Sequence, residues 1–305
     1  TTVLSNFSVA SRKYGDYTNI NGMNFSAIPP TTNRLYDQGG FTYTSSDTSV
    51  ATINQYIITI VGGGTTTITA TQAGTSRYLS ASISAPFTVT PATGVLSNFS
   101  IPDKVVGDAS FSITNPASAN NYYTSGNTGA FTYTSSDLTV ATIQGNVITV
   151  VGNGISTITA VQAATANYTS ASITTTFRVR LTPTLSNFVI PAKIFGDADF
   201  TVTPPTTDSD GSFGYSSSNT AVAWFSGNVL KNVGGGTTTV TATQYSSNNY
   251  ASKTITTTFT VNPATPVITN FSMYPRNIAQ SPYTIYNSWP TSNSSGGYTF
   301  TSSNS

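Results

Sequence analysis

The reactive side chains of this 305-residue chain are ten aspartates, with no histidine, no cysteine and no glutamate. Without histidine or cysteine there is no imidazole base, thiolate nucleophile or zinc site of the usual kind. A Ser-His-Asp triad cannot be assembled. Glycoside hydrolysis through two carboxylates needs a close acidic pair, and the aspartates are mostly spread along the chain. No enzymatic activity and no cofactor are expected. Asp208-Ser209-Asp210-Gly211 matches a fragment of a calcium loop but lacks the remaining ligands and the distal glutamate, so it reads as a polar loop tip. Asp16, Asp108 and Asp197 each follow a glycine just before a strand. They read as turn residues bonding their own backbone, the alternative being a calcium ligand at each domain junction.

Recognition is left to loop side chains. The candidates are Tyr36 and Asp37, Tyr122 and Tyr123, Asp208 and Asp210, and Trp289, in segments of variable length. Aromatic rings on loops can stack on sugars or anchor a protein partner. Tyr78, Tyr168 and Tyr250 keep a fixed spacing from an upstream strand and read as packing residues. Gln72, Gln162 and Gln244 fall in phase with inward residues, so each is expected to be a buried amide bonding a loop backbone. Glycosylation sequons at Asn6, Asn24, Asn98, Asn167, Asn270 and Asn293 matter only in a eukaryotic host.

What positions these residues is a repeat. Leu4-Ser5-Asn6-Phe7 returns as Leu96 to Phe99, as Leu185 to Phe188, and as Ile268-Thr269-Asn270-Phe271, at offsets of 92, 89 and 83 residues. Phe41 to Asp47 returns as Phe131 to Asp137 and more loosely as Phe213 to Asn219. This period suits a small β-sandwich rather than a solenoid coil. Within a repeat, Ala81, Ile83, Ala85, Phe87 and Val89 alternate with polar or small residues, giving one buried and one wet face. Gln144-Gly145-Asn146 and Ser226-Gly227-Asn228 separate apolar runs and signal hairpins. No helical period of useful length occurs, and about seven short strands per repeat are expected.

The expected fold class is all-β: tandem Ig-like antiparallel β-sandwiches arranged as an elongated rod. The expected domains are repeat 1 at 1–92, repeat 2 at 93–182, repeat 3 at 183–264, and the start of a truncated fourth repeat at 265–305. Short proline-containing links join them, such as Pro91-Ala92-Thr93-Gly94 and Pro263-Ala264-Thr265-Pro266. The sequence shows no initiator methionine or signal peptide, and its fourth repeat stops after Tyr298 to Ser305. The natural chain is therefore expected to start earlier and to continue past Ser305, unless a partner chain supplies the missing strands.

Charged residues are 7% of the chain and the net charge is +1, so nothing steers nucleic acid or an anionic membrane toward it. No apolar run approaches the roughly 20 residues of a membrane span. Serine and threonine make up about a third of the residues. That composition alone fits a disordered stalk, but the regular placement of 16 Phe and 17 Tyr argues for packed cores.

Tyr43-Thr44-Ser45-Ser46-Asp47, Val50-Ala51-Thr52-Ile53 and Gly64-Thr65-Thr66-Thr67-Ile68-Thr69-Ala70 resemble the bacterial immunoglobulin-like domains of invasin- and intimin-type adhesins and of phage structural proteins. The second repeat carries the pattern almost intact, whereas the third has Val222-Ala223-Trp224-Phe225. Similar arrays occur in proteins of large DNA viruses. The resemblance implies no catalytic residues. It implies an extracellular structural repeat forming an elongated fibre, stalk or decoration on a virion or cell surface. Its partners would be other copies or other structural proteins of the same assembly. The alternative is an adhesin segment that grips host glycan or protein through the variable loops.

Overall fold

The computed structural model describes residues 1–16, 23–36, 39–118, 126–280, 282, 284–285 and 289–303. By contact density the chain divides into two compact units, Thr1–Leu181 and Thr182–Ser305. The fold is all-β, built from Ig-like sandwiches in tandem.

Side-chain alternation decides where the sheets form. In the second repeat, Gly154–Gln162 and Ala171–Arg180 pair antiparallel along their whole length. One face of the pair carries Ile158, Ala160, Phe177 and Val179, all buried. The other carries Thr157, Thr159, Ser172, Thr174 and Thr176, whose β-branched or small polar side chains suit a wet pleat. Phe131–Ser135 joins one edge and Lys104–Val105 the other, giving a four-stranded sheet. The facing sheet runs Phe111–Ser112, Val147–Val150, Ala141–Gln144. Leu96–Ser97 pairs separately with Ala117–Ser118. The first and third repeats have the same three sheets in the same strand order.

Among the described residues each repeat thus has nine strands rather than about seven, because the chain ahead of the Phe-x-Tyr strand is cut into pieces of two or three residues. Among the described residues, strand pairing within a repeat is antiparallel with one exception per repeat. Arg12–Lys13, Lys104–Val105 and Lys193–Ile194 run parallel with the last strand. The cation that opens each of these strands lies over a core phenylalanine: Arg12 over Phe25 at 4.9 Å, Lys104 over Phe111 at 4.7 Å, Lys193 over Phe200 at 4.9 Å.

Three separate apolar cores result. Phe87, Phe177 and Phe259 are fully buried at their centres, each against a phenylalanine of the facing sheet. The Leu-Ser-Asn-Phe signature has a backbone cause. Asn6, Asn98, Asn187 and Asn270 all hold φ between 56° and 59°, the left-handed region that asparagine tolerates better than most residues. The turn aims the following phenylalanine inward; Phe99 and Phe188 are buried.

The last segment repeats only the opening of this plan. Ile268–Thr269 pairs with Thr291–Ser292, as Leu4–Ser5 pairs with Thr31–Thr32. Residues 298–303, which match the Phe-x-Tyr strand in sequence, lie in no sheet. The helical residues among those described are 3-10: Ile278–Gln280 and Ile285. No helix among them is long and apolar enough to cross a membrane.

Candidate functional site

Of the loop residues singled out in the sequence, Tyr36, Asp208, Asp210 and Trp289 lie among the described residues. Asp37, Tyr122 and Tyr123 lie outside the described residues. Tyr36 is 70% exposed, beside Leu35 at 80%. Asp208 accepts the Thr184 amide at 2.9 Å, so its carboxylate fastens the entry to the third repeat. Asp210 is exposed. Trp289 is half exposed and packs on Tyr298 and Phe300, with ring centroids 6.0 and 6.2 Å away.

The glycine-aspartate turns follow the simpler reading. Asp16, Asp108 and Asp197 each accept the amide three residues back, at 2.9–3.1 Å. Among the described residues, no group of three or more metal-type side chains comes together.

The in-phase glutamines are buried and serve the loops. Gln162 Nε2 donates to the Asn127 carbonyl at 2.6 Å, and Gln244 Nε2 donates to the Ser209 and Gly211 carbonyls. Gln72 accepts from the Thr32 hydroxyl at 2.9 Å. The first repeat adds a residue that sequence reasoning passed over. Arg34 is 1% exposed, donates to the Ala73 and Leu79 carbonyls at 2.8 Å, and lies over the Tyr78 ring. A buried guanidinium needs such acceptors. The signal available in sequence was an arginine in a chain with only 11 basic residues.

The Ser-Ser-Asp signature is a hydroxyl knot. Thr66 is buried, lies 2.8 Å from Ser45 Oγ, and accepts the Asp47 amide at 2.9 Å. Ser156 and Thr238 take its place in the other repeats. Asp47 accepts both the hydroxyl and the amide of Ser49, and Asp137 both those of Thr139. The side-chain hydrogen bond, then the backbone one, hold both carboxyls below the usual carboxylate range.

The most elaborate site lies inside the first unit, where the Ala166–Thr169 loop of the second repeat seats on the base of the first. Tyr168 is 7% exposed and belongs to the apolar core of the first repeat. Its ring meets Tyr14 edge-on at 5.6 Å. Burial, then Tyr168 itself, raises the hydroxyl pKa of Tyr14. Ala92 forms a parallel bridge to Tyr168 through two hydrogen bonds of 2.8 Å. Asn167 Oδ1 accepts the Gly63 amide at 2.8 Å. A Cβ on Gly63 would run into the Ala166 carbonyl oxygen, so only glycine permits the approach. The sequon at Asn167 is thereby committed to the joint.

The third repeat carries the same acceptor residues. Gly234-Gly235-Gly236 and Pro263-Ala264-Thr265 stand where the first has Gly62-Gly63-Gly64 and Pro91-Ala92-Thr93. Phe195 takes the place of Tyr14, and both amides bond the end of the last strand at 2.8 Å. Phe195 is 52% exposed, at the edge of a cleft of about 580 Å³.

No family model and no curated protein match this chain. Solved structures of tandem domains are similar to it. Extracellular domains 3–5 of Drosophila OTK align over 86% of this chain and 96% of that one, with 9% identity and a TM-score of 0.38. The I-band fragment I67–I69 of titin aligns over 87% and 99%, with 13% identity and a TM-score of 0.28. Drosophila N-cadherin EC1-4 aligns over 87% and 75%, with 9% identity and a TM-score of 0.27. The Ig-like assignment rests on the strand order and register of the chain itself.

Proposed function

We propose that the chain is a non-enzymatic structural repeat, each sandwich one domain, displayed outside the cell as a fibre, stalk or decoration of a virion or cell surface. The observation that carries this reading is the Tyr14–Tyr168 joint. A protein that only strings binding domains together has no need to bury a ring of one domain in the core of the next. A spacer that must hold its angle does. The absence of histidine, cysteine and glutamate supports the non-enzymatic part. The invasin- and intimin-like motif supports surface display, with copies of the chain or other structural proteins of the same assembly as partners. The test is immunolabelling of intact, unpermeabilised cells and particles of the source with antibody against the chain. Surface labelling supports the reading; labelling only after permeabilisation rejects it.

An adhesin role is the second reading, favoured by the exposed Tyr36 and Trp289 rings. Saturable binding on a glycan or cell-surface array, lost in Tyr36→Ser or Trp289→Ser, would establish it over the spacer.

A further inference from the structure

The three repeats act as controls for one another. In each, the outer face of the three-stranded sheet carries a row of three side chains running straight across the strands. In the first repeat the row is Asn24, Thr59 and Thr52. In the second it is Ser110, Thr149 and Thr142, with Ser110 Oγ 3.0 Å from Thr149 Oγ1. Both rows are uncharged and carry no ring. In the third repeat the same row is Asp199, Lys231 and Trp224. Leu230 and Ala223 beside them are fully buried in the core, so alternation puts the row outside.

The sheet does not need these residues. Two repeats build it in the same strand order, around intact apolar cores, with hydroxyl and amide side chains in the row. Stability does not call for them either. An ion pair with 35% and 40% of its side chains in water contributes little. Trp224 keeps 44% of its surface in water, where burial would be favourable.

The row is nonetheless a fixed arrangement. Lys231 stands on the middle strand, with Asp199 on one side and Trp224, its direct partner, on the other. Lys231 Nζ donates to Asp199 Oδ2 at 2.8 Å, and the Asn232 amide donates to Oδ1 at 3.1 Å. These bonds, the lysine's first, hold the carboxyl below the usual carboxylate range. The carboxylate keeps spare lone pairs and the ammonium spare protons. Their charges cancel, so the row draws neither a polyanion nor a polycation. It offers an apolar ring, a donor and an acceptor in one line.

We propose that Trp224, Lys231 and Asp199 form a binding site for a neutral β-linked glycan. A pyranose with equatorial hydroxyls has an apolar face of C–H groups and a rim of hydroxyls that both donate and accept. The face stacks on the indole. Neighbouring hydroxyls meet the ammonium and the carboxylate in charge-assisted hydrogen bonds, the stronger kind. An apolar peptide side chain would use the indole but strip water from both charges without replacing it. β-Linkage keeps successive rings in a flat ribbon, the shape that an open sheet face accepts. The site lies apart from the Tyr36 and Trp289 loops and stands whether or not the chain is a spacer.

The test uses the full chain with cellohexaose and, separately, polygalacturonate, followed by NMR. The chain has two tryptophans, so Trp224→Thr, which carries the residue of the first two repeats, assigns the indole N–H signals. In the unmodified chain the Trp224 signal should move saturably with cellohexaose. Asp199→Ser and Lys231→Thr, again the residues of the second repeat, should each weaken binding about tenfold or more while the spectrum stays that of a folded chain. Absence of saturation overturns the proposal, as does a shift confined to Trp289, or unchanged affinity in both variants. Tighter saturation by polygalacturonate than by cellohexaose overturns it in favour of an anion site at Lys231.

Discussion

The ring of Tyr168 meets that of Tyr14 edge-on at 5.6 Å, although 154 residues and a domain linker separate them in the chain. Tyr168 is thus a core residue of a repeat to which it does not belong in sequence. Edge-to-face pairs contribute about 0.5–1.5 kcal/mol beyond burial. Truncating a buried aromatic ring costs about 3–5 kcal/mol. In Tyr168→Ala the first and second sandwiches should lose their coupling and melt in two steps by calorimetry. Gly63→Ala should act the same way without touching either core, because its new methyl strikes the Ala166 carbonyl. Unchanged single-step melting in both variants would show that the joint is not what couples them.

Phe177 is fully buried with Phe111 5.8 Å away. Phe177→Ala should destabilise the second sandwich by about 3–5 kcal/mol. A small domain has only about 5–15 kcal/mol in total. Chemical denaturation should show a markedly earlier transition, and a change under about 1 kcal/mol would contradict the core assignment.

The strand faces were legible because threonine and serine alternate with Ile, Ala, Phe and Val over nine or ten residues, and period two has no other reading here. The turn role of Asp16, Asp108 and Asp197 was legible from the glycine before each. The role of Tyr168 was not. Its spacing equals that of Tyr78 and Tyr250, and what separates it from them is the neighbour it meets across the linker. Tyr78 is half-buried under Arg34, a partner that the other two repeats lack. The two-residue strands escaped notice because periodicity needs more than two residues to show.

Acid should act on the first unit through Asp47 and Asp137. Both carboxyls sit lower in the folded state because they accept hydrogen bonds from Ser49 and Thr139, side chain first. A depressed folded value means that the stabilisation is fully present above the unfolded carboxylate value of about 4 and is lost as pH falls through the folded one. The double variant Asp47→Asn, Asp137→Asn should flatten the acid limb of the stability profile of the first unit. Asn219 already stands at the matching position of the third repeat and accepts the Ala221 amide at 3.1 Å. An unaltered profile in the double variant would remove these two groups from the acid response.

Gln55 supplies a test of strain, since it holds φ of 54° at the hairpin turn of the first repeat, where Gly145 and Gly227 hold 56° and 62° in the other two. Holding a residue with a Cβ in the left-handed region costs about 1–2 kcal/mol, part of which glycine returns as backbone entropy. Gln55→Gly should therefore raise the stability of the first sandwich by up to about 1 kcal/mol. Gly145→Gln should lower that of the second by a similar amount. The pair of reciprocal exchanges separates backbone strain from any contact of the glutamine side chain. If both variants move in the same direction, strain is not the cause.

The last segment should be the weakest part of the chain. Its one sheet among the described residues is a pair of two-residue strands, Ile268–Thr269 with Thr291–Ser292. Phe271 and Phe300 face each other at 5.7 Å but remain 51% and 41% exposed. By contrast, Ile68, Ile158 and Val240 sit in long central strands and are fully buried. Amide exchange tracks local opening, which is cheap where few apolar contacts and few ladder bonds must break. Exchange of amides between 267 and 303 should be fast in a dilute sample of the 305-residue chain, while those of Gly64–Gln72, Gly154–Gln162 and Gly236–Gln244 stay protected. Slow exchange across 267–280 in a confirmed monomer would mean that this segment forms a stable core of its own, which a two-residue pairing and half-exposed rings do not provide.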